Sequence, residues 1–257
     1  MIIFVTTTKP FKSIFTNIQK NALNSWNKLN IEKKILVLTT EEECINFCQE
    51  NGFIAITEFE NSDISGIPTY RSLIESAKNF ASDSDIICQI NCDIILCNDF
   101  TETIKSFSSK CNFEKFALVG QRFDCQFTNE LIDFSNSEWE SNLPDGEWHP
   151  GCGMDYFVIS KSTFNELPKF FVARFTYDGW IMGHIKSMNI PMFDCTQTIK
   201  AYHQNHGYGT DGNMSYDDFV SNNQSEISVN SQFSHSLNIE RLNGKSKFEN
   251  GEIVFTL

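Results

Sequence analysis

The first 120 residues alternate between short runs of apolar residues and longer segments in which apolar residues recur at helical spacing. The short runs predict buried strands at 2–7, 35–38, 53–57, 85–90 and 116–120. Such alternation is typical of an α/β fold, in which a mostly parallel sheet carries helices on both faces. Ligands of these sheets bind at the carboxyl ends of the strands, so the loops of interest are 7–10, 39–42, 61–68 and 91–94.

The segments between these runs predict helices. Apolar residues from Phe11 to Leu29 follow helical spacing, a helix capped by Thr39–Thr40–Glu41 ends near Gly52, and Pro68 suits the first turn of another. Farther along we expect an irregular stretch at 124–150, a strand at 156–159, a helix at 178–188 and one or two strands at 190–203. Residues 209–236 predict a long loop because Gly, Ser, Asn and Asp dominate them, and 237–257 predict a hairpin around Asn250–Gly251.

Composition excludes several classes of protein. The 257 residues include 33 Asp or Glu and 20 Lys or Arg, and a net charge of −13 is unsuited to holding nucleic acid. No apolar run approaches the roughly 20 residues of a membrane span, and the first run is too short for a signal peptide. The nine cysteines are scattered, odd in number and without a CxxC pair, so we expect reduced thiols, a cytoplasmic location and no zinc site.

Two polar clusters follow predicted strands. In Asn91–Cys92–Asp93, the carboxylate at a strand end can bind Mg²⁺ or Mn²⁺, which would bridge two phosphates and let an acidic protein hold them. The alternative is that Asp93 caps a turn. His203 and His206 stand beside glycines at another strand end, and imidazole is a good Mn²⁺ ligand. The alternative is that both are loop histidines, solvated or bonded to the backbone.

Three further segments carry candidate polar groups. Asp178 lies among aromatic residues in Arg174–Phe175–Thr176–Tyr177–Asp178–Gly179–Trp180, where a raised pKa would suit a general base; the alternative is the N-cap of a helix at 179–188. Gly151 and Gly153 before Asp155 allow a ligand to approach the backbone, or form a turn. Gln121, Arg122 and Asp124 follow a buried strand, and the alternative there is a surface ion pair between Arg122 and Asp124.

The order of these pieces resembles the nucleotide-sugar-dependent glycosyltransferases of GT-A fold, in particular a family-2-like group. The resemblance covers residues 1 to 208 and divides them into a nucleotide-binding half, 1–120, and an acceptor half, 121–208, with 209–257 as a tail. It is carried by these matches: Thr8–Lys9–Pro10–Phe11, Asn21–Ala22–Leu23–Asn24–Ser25–Trp26, Asn91–Cys92–Asp93–Ile94, Val119–Gly120–Gln121–Arg122, Gly153–Met154–Asp155–Tyr156–Phe157–Val158, Arg174 with Asp178 and Trp180, and His203–Gln204–Asn205–His206.

The resemblance implies roles for individual residues. Asp93 would bind the metal with His203 or His206, and Asn91, in place of the family's first Asp, would assist or contact the ribose. Nucleotide binding is also implied for Thr7, Thr8, Glu41 and Cys92, and sugar or acceptor binding for Gln121, Arg122, Gly153, Asp155 and Trp180. Asp178 corresponds to the base that deprotonates the acceptor in inverting members.

The resemblance also implies partners. By the habit of the family we expect a UDP-sugar donor, Mn²⁺ or Mg²⁺, and an acceptor hydroxyl on a glycan, protein or lipid carrier, and the loop 209–236 could act as a lid over the donor. Two alternatives stay open. A sugar-phosphate nucleotidyltransferase would need a glycine-rich basic loop after the first strand, and none is present in TTTKPFKS. A non-catalytic sugar-binding or structural protein on the same scaffold is favoured by the missing first Asp. Inverting or retaining chemistry and the oligomeric state are left open.

Overall fold

The computed structural model describes residues 1–127, 129–151, 153–175, 177–233, 239, 242 and 244–257. Its strands are β1 (Ile2–Thr7), β2 (Lys33–Leu38), β3 (Ile54–Ile56), β4 (Ile86–Ile90), β5 (Ile94–Ile95), β6 (Ala117–Val119), β7 (Arg122–Cys125), β8 (Gly146–Trp148), β9 (Tyr156–Ser160), β10 (Met192–Asp194), β11 (Ala201–Gln204), β12 (Gly244–Glu249) and β13 (Glu252–Thr256). Its helices are α1 (Ile14–Lys28), α2 (Glu42–Asn51), α3 (Tyr70–Phe80), α4 (Asn98–Lys110), α5 (Tyr177–Ser187), α6 (Tyr216–Asn222) and α7 (Gln224–Ser231), and a short 3-10 helix spans Trp139–Asn142.

Nine strands form the main sheet in the order β13-β12-β10-β6-β9-β4-β1-β2-β3. Neighbours are parallel except around β9, which runs antiparallel to β4 and β6, and at the terminal β12–β13 pair. The expected α/β architecture, a mostly parallel sheet flanked by helices, is confirmed and is Rossmann-like. Strands β9 and β10, from beyond residue 120, lie within this sheet and complete its middle.

The core has two apolar layers because alternate residues of each strand face opposite sides of the sheet. Phe4 packs on one side, with its ring 5.7 Å from that of Trp26 in α1 and 5.6 Å from that of Phe100 in α4. Its neighbours Ile3 and Val5 face the other side, where α3 and α5 pack. The predicted helical spacing of Phe11 to Leu29 corresponds to α1, and Gly52 ends α2 in the left-handed conformation, as expected of a C-terminal cap.

Four strands form a second, smaller sheet in the order β5-β11-β7-β8. Strand β11 pairs antiparallel with β5 and parallel with β7, and β8 runs antiparallel along the outside of β7. Only three residues separate the end of β4 from the start of β5, so the small sheet stands at the carboxyl end of β4. The stretch 124–150 is therefore not wholly irregular, since it includes part of β7, all of β8 and the 3-10 helix.

Two expectations about local structure are wrong, and one is confirmed. Pro68 precedes the helix instead of entering it, because the Thr69 side chain caps α3 by accepting a hydrogen bond from the Ser72 backbone. The expected long loop at 209–236 includes α6 and α7, and the Ser215 hydroxyl caps α6 by accepting from the Asp218 backbone. The terminal hairpin is confirmed, with Asn250–Gly251 as its turn and β12 paired to β10. Residues 234–238, 240, 241 and 243 of the predicted tail lie outside the described residues.

Candidate functional site

The small sheet brings three polar side chains together at the carboxyl end of β4. Asp93 lies in the turn between β4 and β5, and its backbone oxygen accepts a hydrogen bond from the Gln204 backbone at 3.1 Å. In the register of β11, His203 pairs with Asp124 on one side and with Ile94 on the other. Residues paired across neighbouring strands share a face of the sheet, so the side chains of Asp124 and His203 lie on the same side.

Asp93, His203 and His206 form a cluster in which the ligand atoms all lie within 4.8 Å of one another. The Oδ2 atom of Asp93 is 3.1 Å from Nε2 of His206 and 3.8 Å from Nε2 of His203. The other carboxylate oxygen, Oδ1, is buried and has no hydrogen-bond partner among the described residues. A buried carboxylate oxygen without a partner is costly, so this atom indicates a missing ligand.

The hydrogen-bond partners of Nδ1 determine the tautomer of each histidine. Nδ1 of His206 is 2.8 Å from the backbone oxygen of Gly207, and Nδ1 of His203 is 3.0 Å from Asp124 Oδ1 and 2.9 Å from Asn205 Oδ1. Carbonyl and carboxylate oxygens only accept hydrogen bonds, so we assign the proton of each ring to Nδ1. If the rings are neutral, both Nε2 lone pairs face the Asp93 carboxylate, and a proton or a metal ion between them removes the repulsion. A carboxylate or carbonyl behind each histidine is the usual support of a metal-binding imidazole.

The charges of the cluster shift its pKa values. Burial raises the pKa of Asp93, but the hydrogen bond from His206 and the charge of His203 outweigh burial and hold it well below its usual range. Burial lowers the pKa of His203, and the hydrogen bond to Asp124 together with the charge of Asp93 reverses this and raises it. The cluster therefore attracts positive charge, whether as protons or as a metal ion.

Asn91 serves as a link within the protein. Its side-chain nitrogen donates to Asp155 Oδ1 at 2.7 Å, and its side-chain oxygen accepts from the Tyr177 hydroxyl at 3.1 Å. Both ends of the amide are therefore engaged by hydrogen bonds within the protein. The first position of the Asn91–Cys92–Asp93 segment thus joins β4 to the first turn of α5.

Arg122 and Asp124 belong to a larger network. Arg122 donates through Nε to Asp124 Oδ1 at 2.9 Å and through Nη1 to Asp155 Oδ2 at 3.0 Å. The other oxygen of Asp124 lies 2.7 Å from Nδ1 of His149. The alternative of an ion pair between Arg122 and Asp124 is thus realised, but the pair is mostly buried, with side chains 23% and 17% exposed. Asp124 also contacts Nδ1 of His203, so the same carboxylate joins the ion pair to the metal-ligand cluster.

The sequence analysis did not identify His149, although Gly153 is a signal for it. A Cβ at position 153 would overlap the His149 ring, so only glycine lets this ring pack against the chain and reach Asp124. The backbone oxygen of Gly153 also accepts from the Arg122 backbone at 3.1 Å. Residue 152, between the two predicted glycines, lies outside the described residues.

Asp178 lies in the first turn of α5 and is not its N-cap, because the helix begins at Tyr177. Its carboxylate accepts a hydrogen bond from the Gly179 backbone at 2.8 Å. Burial raises the pKa of Asp178 to about 6, and the negative charge of Asp155 adds to the effect. The pKa of Asp178 is thus raised as expected. The residue lies near enough to Asp155 and Arg122 for their charges to act on it. Residue 176, just before the helix, lies outside the described residues.

Trp180 is placed in the core. Its ring lies 4.6 Å from that of His184 and 4.9 Å from that of Phe170, and the residue is 6% exposed. Cys92 also points inward, with Sγ 3.9 Å from the backbone oxygen of Gln19. The structure therefore does not bring the Trp180 ring or the Cys92 thiol to the surface of the site, because each packs into one of the two apolar layers of the core.

Thr7, Thr8 and Glu41 lie where β1 and β2 end, beside the site. The Thr7 hydroxyl donates to the Leu38 backbone oxygen at 3.0 Å, and the Thr8 hydroxyl lies 3.5 Å from the Cys44 sulfur. The Glu41 backbone donates to Thr39 Oγ1 at 3.2 Å at the start of α2. Gln121 is separate from this group and lines a different cleft with Trp148.

Lys9, which no sequence pattern singled out, lies beside the cluster. Its ammonium group lies 3.7 Å from the centre of the Phe15 ring, and that ring packs edge-on to His206 at 4.8 Å. Lys9 forms no ion pair with any described residue, although Asp93 and Arg174 are near enough for their charges to act on it. Burial lowers the pKa of Lys9 to about 8, which the charge of Asp93 only partly offsets. An anionic ligand would supply the missing partner.

No protein-family model matches this chain, and no curated protein sequence does. Solved structures similar to it include S. aureus TarS 1–349 in complex with UDP-GlcNAc, at 12% identity and a TM-score of 0.34, covering 52% of this chain and 37% of that one. Others are the T. maritima inositol-1-phosphate CTP transferase (14% identity, TM-score 0.43, 91% and 97% covered) and a CMP:2-keto-3-deoxy-manno-octonic acid synthetase complexed with CTP (11%, 0.44, 90% and 98%). The chain spans just over a third of the TarS fragment. Scores this low do not establish a shared function, which must be argued from the site.

Proposed function

We propose that this protein is a metal-assisted glycosyltransferase that moves a sugar from a nucleoside diphosphate donor, a UDP-sugar, to a hydroxyl of a glycan, protein or lipid-linked acceptor. The observation that carries the proposal is the Asp93–His203–His206 cluster with its unpartnered buried carboxylate oxygen. The cluster lies at the carboxyl end of β4, where ligands of such sheets bind. A GT-A domain at 1–208 and a cytoplasmic location are part of the same proposal.

The donor set fits a divalent transition ion. Asp93, His203 and His206 would hold it, and imidazole nitrogens favour Mn²⁺ over Mg²⁺. The bound ion would neutralise charge that develops on the diphosphate leaving group. The Lys9 ammonium would contact the same phosphates, which resolves how a chain of net charge −13 holds an anionic donor.

The remaining residues act on the sugar and the acceptor. Arg122 and Asp155 are fixed to each other and would hold sugar hydroxyls, while Thr7, Thr8 and Glu41 would line the nucleoside pocket. Asp178 would take the proton from the attacking acceptor hydroxyl. A pKa of about 6 leaves its carboxylate largely ionised at neutral pH yet basic enough to accept that proton. Attack on the face opposite the leaving group is a single displacement and inverts the anomeric centre.

Thermal unfolding with UDP, GDP, CDP, ADP or dTDP, each with Mn²⁺ or EDTA, tests the donor site. Binding at 100 times Kd stabilises by about 2.7 kcal/mol, and a chain of this size shifts by about 2–4 °C per kcal/mol, so UDP with Mn²⁺ should raise Tm by roughly 5–11 °C. Asp93→Asn should abolish the shift and also the binding of Mn²⁺ followed by electron paramagnetic resonance. The matched control is Asp83→Asn, whose fully exposed carboxylate pairs with Lys161.

The reaction itself separates the alternatives. A glycosyltransferase releases UDP from a UDP-sugar in the presence of Mn²⁺ and an acceptor, or slowly by hydrolysis. A nucleotidyltransferase would instead release pyrophosphate from a nucleoside triphosphate and a sugar phosphate, although residues 8–13 contain no glycine to cradle a triphosphate. Binding of UDP and Mn²⁺ without either reaction would indicate a non-catalytic protein, and no shift with any nucleotide would refute the proposed donor site.

A further inference from the structure

A cleft separate from the metal cluster lies between the small sheet and the C-terminal hairpin. It has a volume of about 530 Å³, which falls in the range of ligand pockets, and its walls include Asp99, Gln121, Trp148, Gln197, Lys200 and Phe248. Strand β7 separates it from the site: Arg122 and Asp124 face the metal cluster, whereas Phe123 between them packs edge-on to Trp148 at 5.1 Å. The cleft therefore occupies the opposite face of the small sheet.

Two aromatic rings stand exposed at this cleft, one from each side. Trp148 on β8 is 42% exposed and Phe248 on β12 is 55% exposed, which is unusual for such large apolar side chains. The Trp148 ring packs edge-on to Phe123, and Lys200 Nζ lies 3.6 Å from the centre of the same Phe123 ring. The cleft thus presents two exposed aromatic surfaces to a ligand, and one of them is supported from behind by Phe123.

The polar side chains of the cleft are two glutamines, two threonines, one aspartate and one lysine. Within the described residues, the side chains of Gln121 and Gln197 make no hydrogen bond, so their donors and acceptors are available to a ligand. Both carboxylate oxygens of Asp99 already accept backbone hydrogen bonds, from Phe100 and Lys200, each at 2.7 Å. One lysine and one carboxylate give the cleft no net charge. A site for phosphate groups would need several cations close together.

We propose that this cleft binds a neutral saccharide unit. The apolar face of a pyranose ring stacks on an aromatic ring while its hydroxyls pair with side-chain amides, and this cleft offers both without a strong charge. A patch this polar is unsuited to a lipid, and the lack of clustered cations excludes a nucleotide. If the proposed function holds, the saccharide is a distal unit of a glycan acceptor, and the C-terminal hairpin contributes to acceptor selection through Phe248.

Trp148 provides a direct measurement of binding. The other three tryptophans, Trp26, Trp139 and Trp180, are at most 8% exposed, so quenching of tryptophan fluorescence by acrylamide reports mainly on Trp148. Chitohexaose, maltohexaose and cellohexaose, each added at millimolar concentration without nucleotide or metal, are the probes. We expect at least one of them to protect Trp148 from quenching and to shift its emission to shorter wavelength.

Variants test whether the cleft is the binding site. Phe248→Ala removes a mostly exposed ring and should weaken binding of the oligosaccharide by about fivefold, in line with the strength of one aromatic contact. Leu131→Ala removes an equally exposed apolar side chain elsewhere and should change nothing. Both variants should bind UDP and Mn²⁺ like the wild type, so failure here is distinct from failure of the donor site.

Three outcomes overturn the proposal. The first is that none of the three oligosaccharides protects Trp148. The second is that protection occurs but is equal in Phe248→Ala and the wild type. The third is that Trp148 is protected without saccharide as the protein concentration rises, with a matching increase in sedimentation coefficient, which would make this face a contact between copies of the chain.

Discussion

A buried ion pair joins the C-terminal helices to the segment that precedes Asp178. Nε and Nη2 of Arg174 lie 2.7 and 2.6 Å from Glu226 Oε2, and the two side chains are 7% and 2% exposed. The other oxygen of Glu226 accepts hydrogen bonds from the hydroxyls of Ser62 and Ser65. Helix α7 is thereby fixed to the loop before α3 and to the loop before α5 at once.

Glu226→Gln keeps the shape of the side chain but leaves the Arg174 guanidinium buried without a counter-charge. Breaking a buried pair in this way costs about 3–5 kcal/mol. At about 2–4 °C per kcal/mol, we expect Tm to fall by roughly 6–20 °C. The matched control is Glu75→Gln, which breaks the pair with Lys78 where the glutamate is 51% exposed, and exposed pairs contribute less than about 1 kcal/mol.

The pH dependence supplies an independent check. Burial raises the pKa of Glu226, but the hydrogen bonds from Ser62 and Ser65 and the charge of Arg174 outweigh it and leave the value below the usual range. A carboxylate with a lowered pKa stabilises the fold above its unfolded-state pKa and loses that contribution as pH falls through the folded-state value. The stability difference between wild type and Glu226→Gln should therefore shrink below about pH 4.3.

Urea unfolding followed by circular dichroism measures both effects. Equal destabilisation by Glu226→Gln and Glu75→Gln would show that the buried pair contributes no more than an exposed one. A stability difference between wild type and Glu226→Gln that stays unchanged from neutral pH to the acid range would contradict the role of the Glu226 charge.

The site itself supplies three further tests. Asp124→Asn should weaken Mn²⁺ binding by about 10- to 100-fold in a paramagnetic resonance titration, because His203 loses the carboxylate that orients it, and unchanged affinity would contradict this. In the transferase assay, kcat/KM should rise with pH through about 6 as Asp178 ionises, and Asp178→Asn should remove that rise while UDP affinity stays unchanged. Lys9→Met should weaken the binding of UDP by roughly 10- to 100-fold and leave the binding of uridine almost unchanged, since a charge-assisted hydrogen bond contributes about 1.5–3 kcal/mol. Equal losses for UDP and uridine, or the same loss in Lys12→Met, would show that Lys9 does not contact the phosphates.

Local sequence pattern was sufficient where one element determines its own structure. The apolar run at 2–7 is β1, the helical spacing after Phe11 is α1, Gly52 ends α2, and Asn250–Gly251 turns the terminal hairpin. The pattern was insufficient at 216–231, where polar residues form two helices. Those helices depend on the Ser215 cap and on burial of Glu226 against distant loops, neither of which appears as apolar periodicity.

The same division holds for the site. The sequence by itself placed Asp93, His203 and His206 at strand ends and predicted a metal site there, because residue type and position at a strand end are local properties. Only the tertiary structure decided that β11 lies between β5 and β7, and this placed Asp124 and His149 behind His203. It also turned the Trp180 ring into the core and left the Trp148 ring exposed. Which face of an element is buried depends on what packs against it, and those partners lie far along the chain.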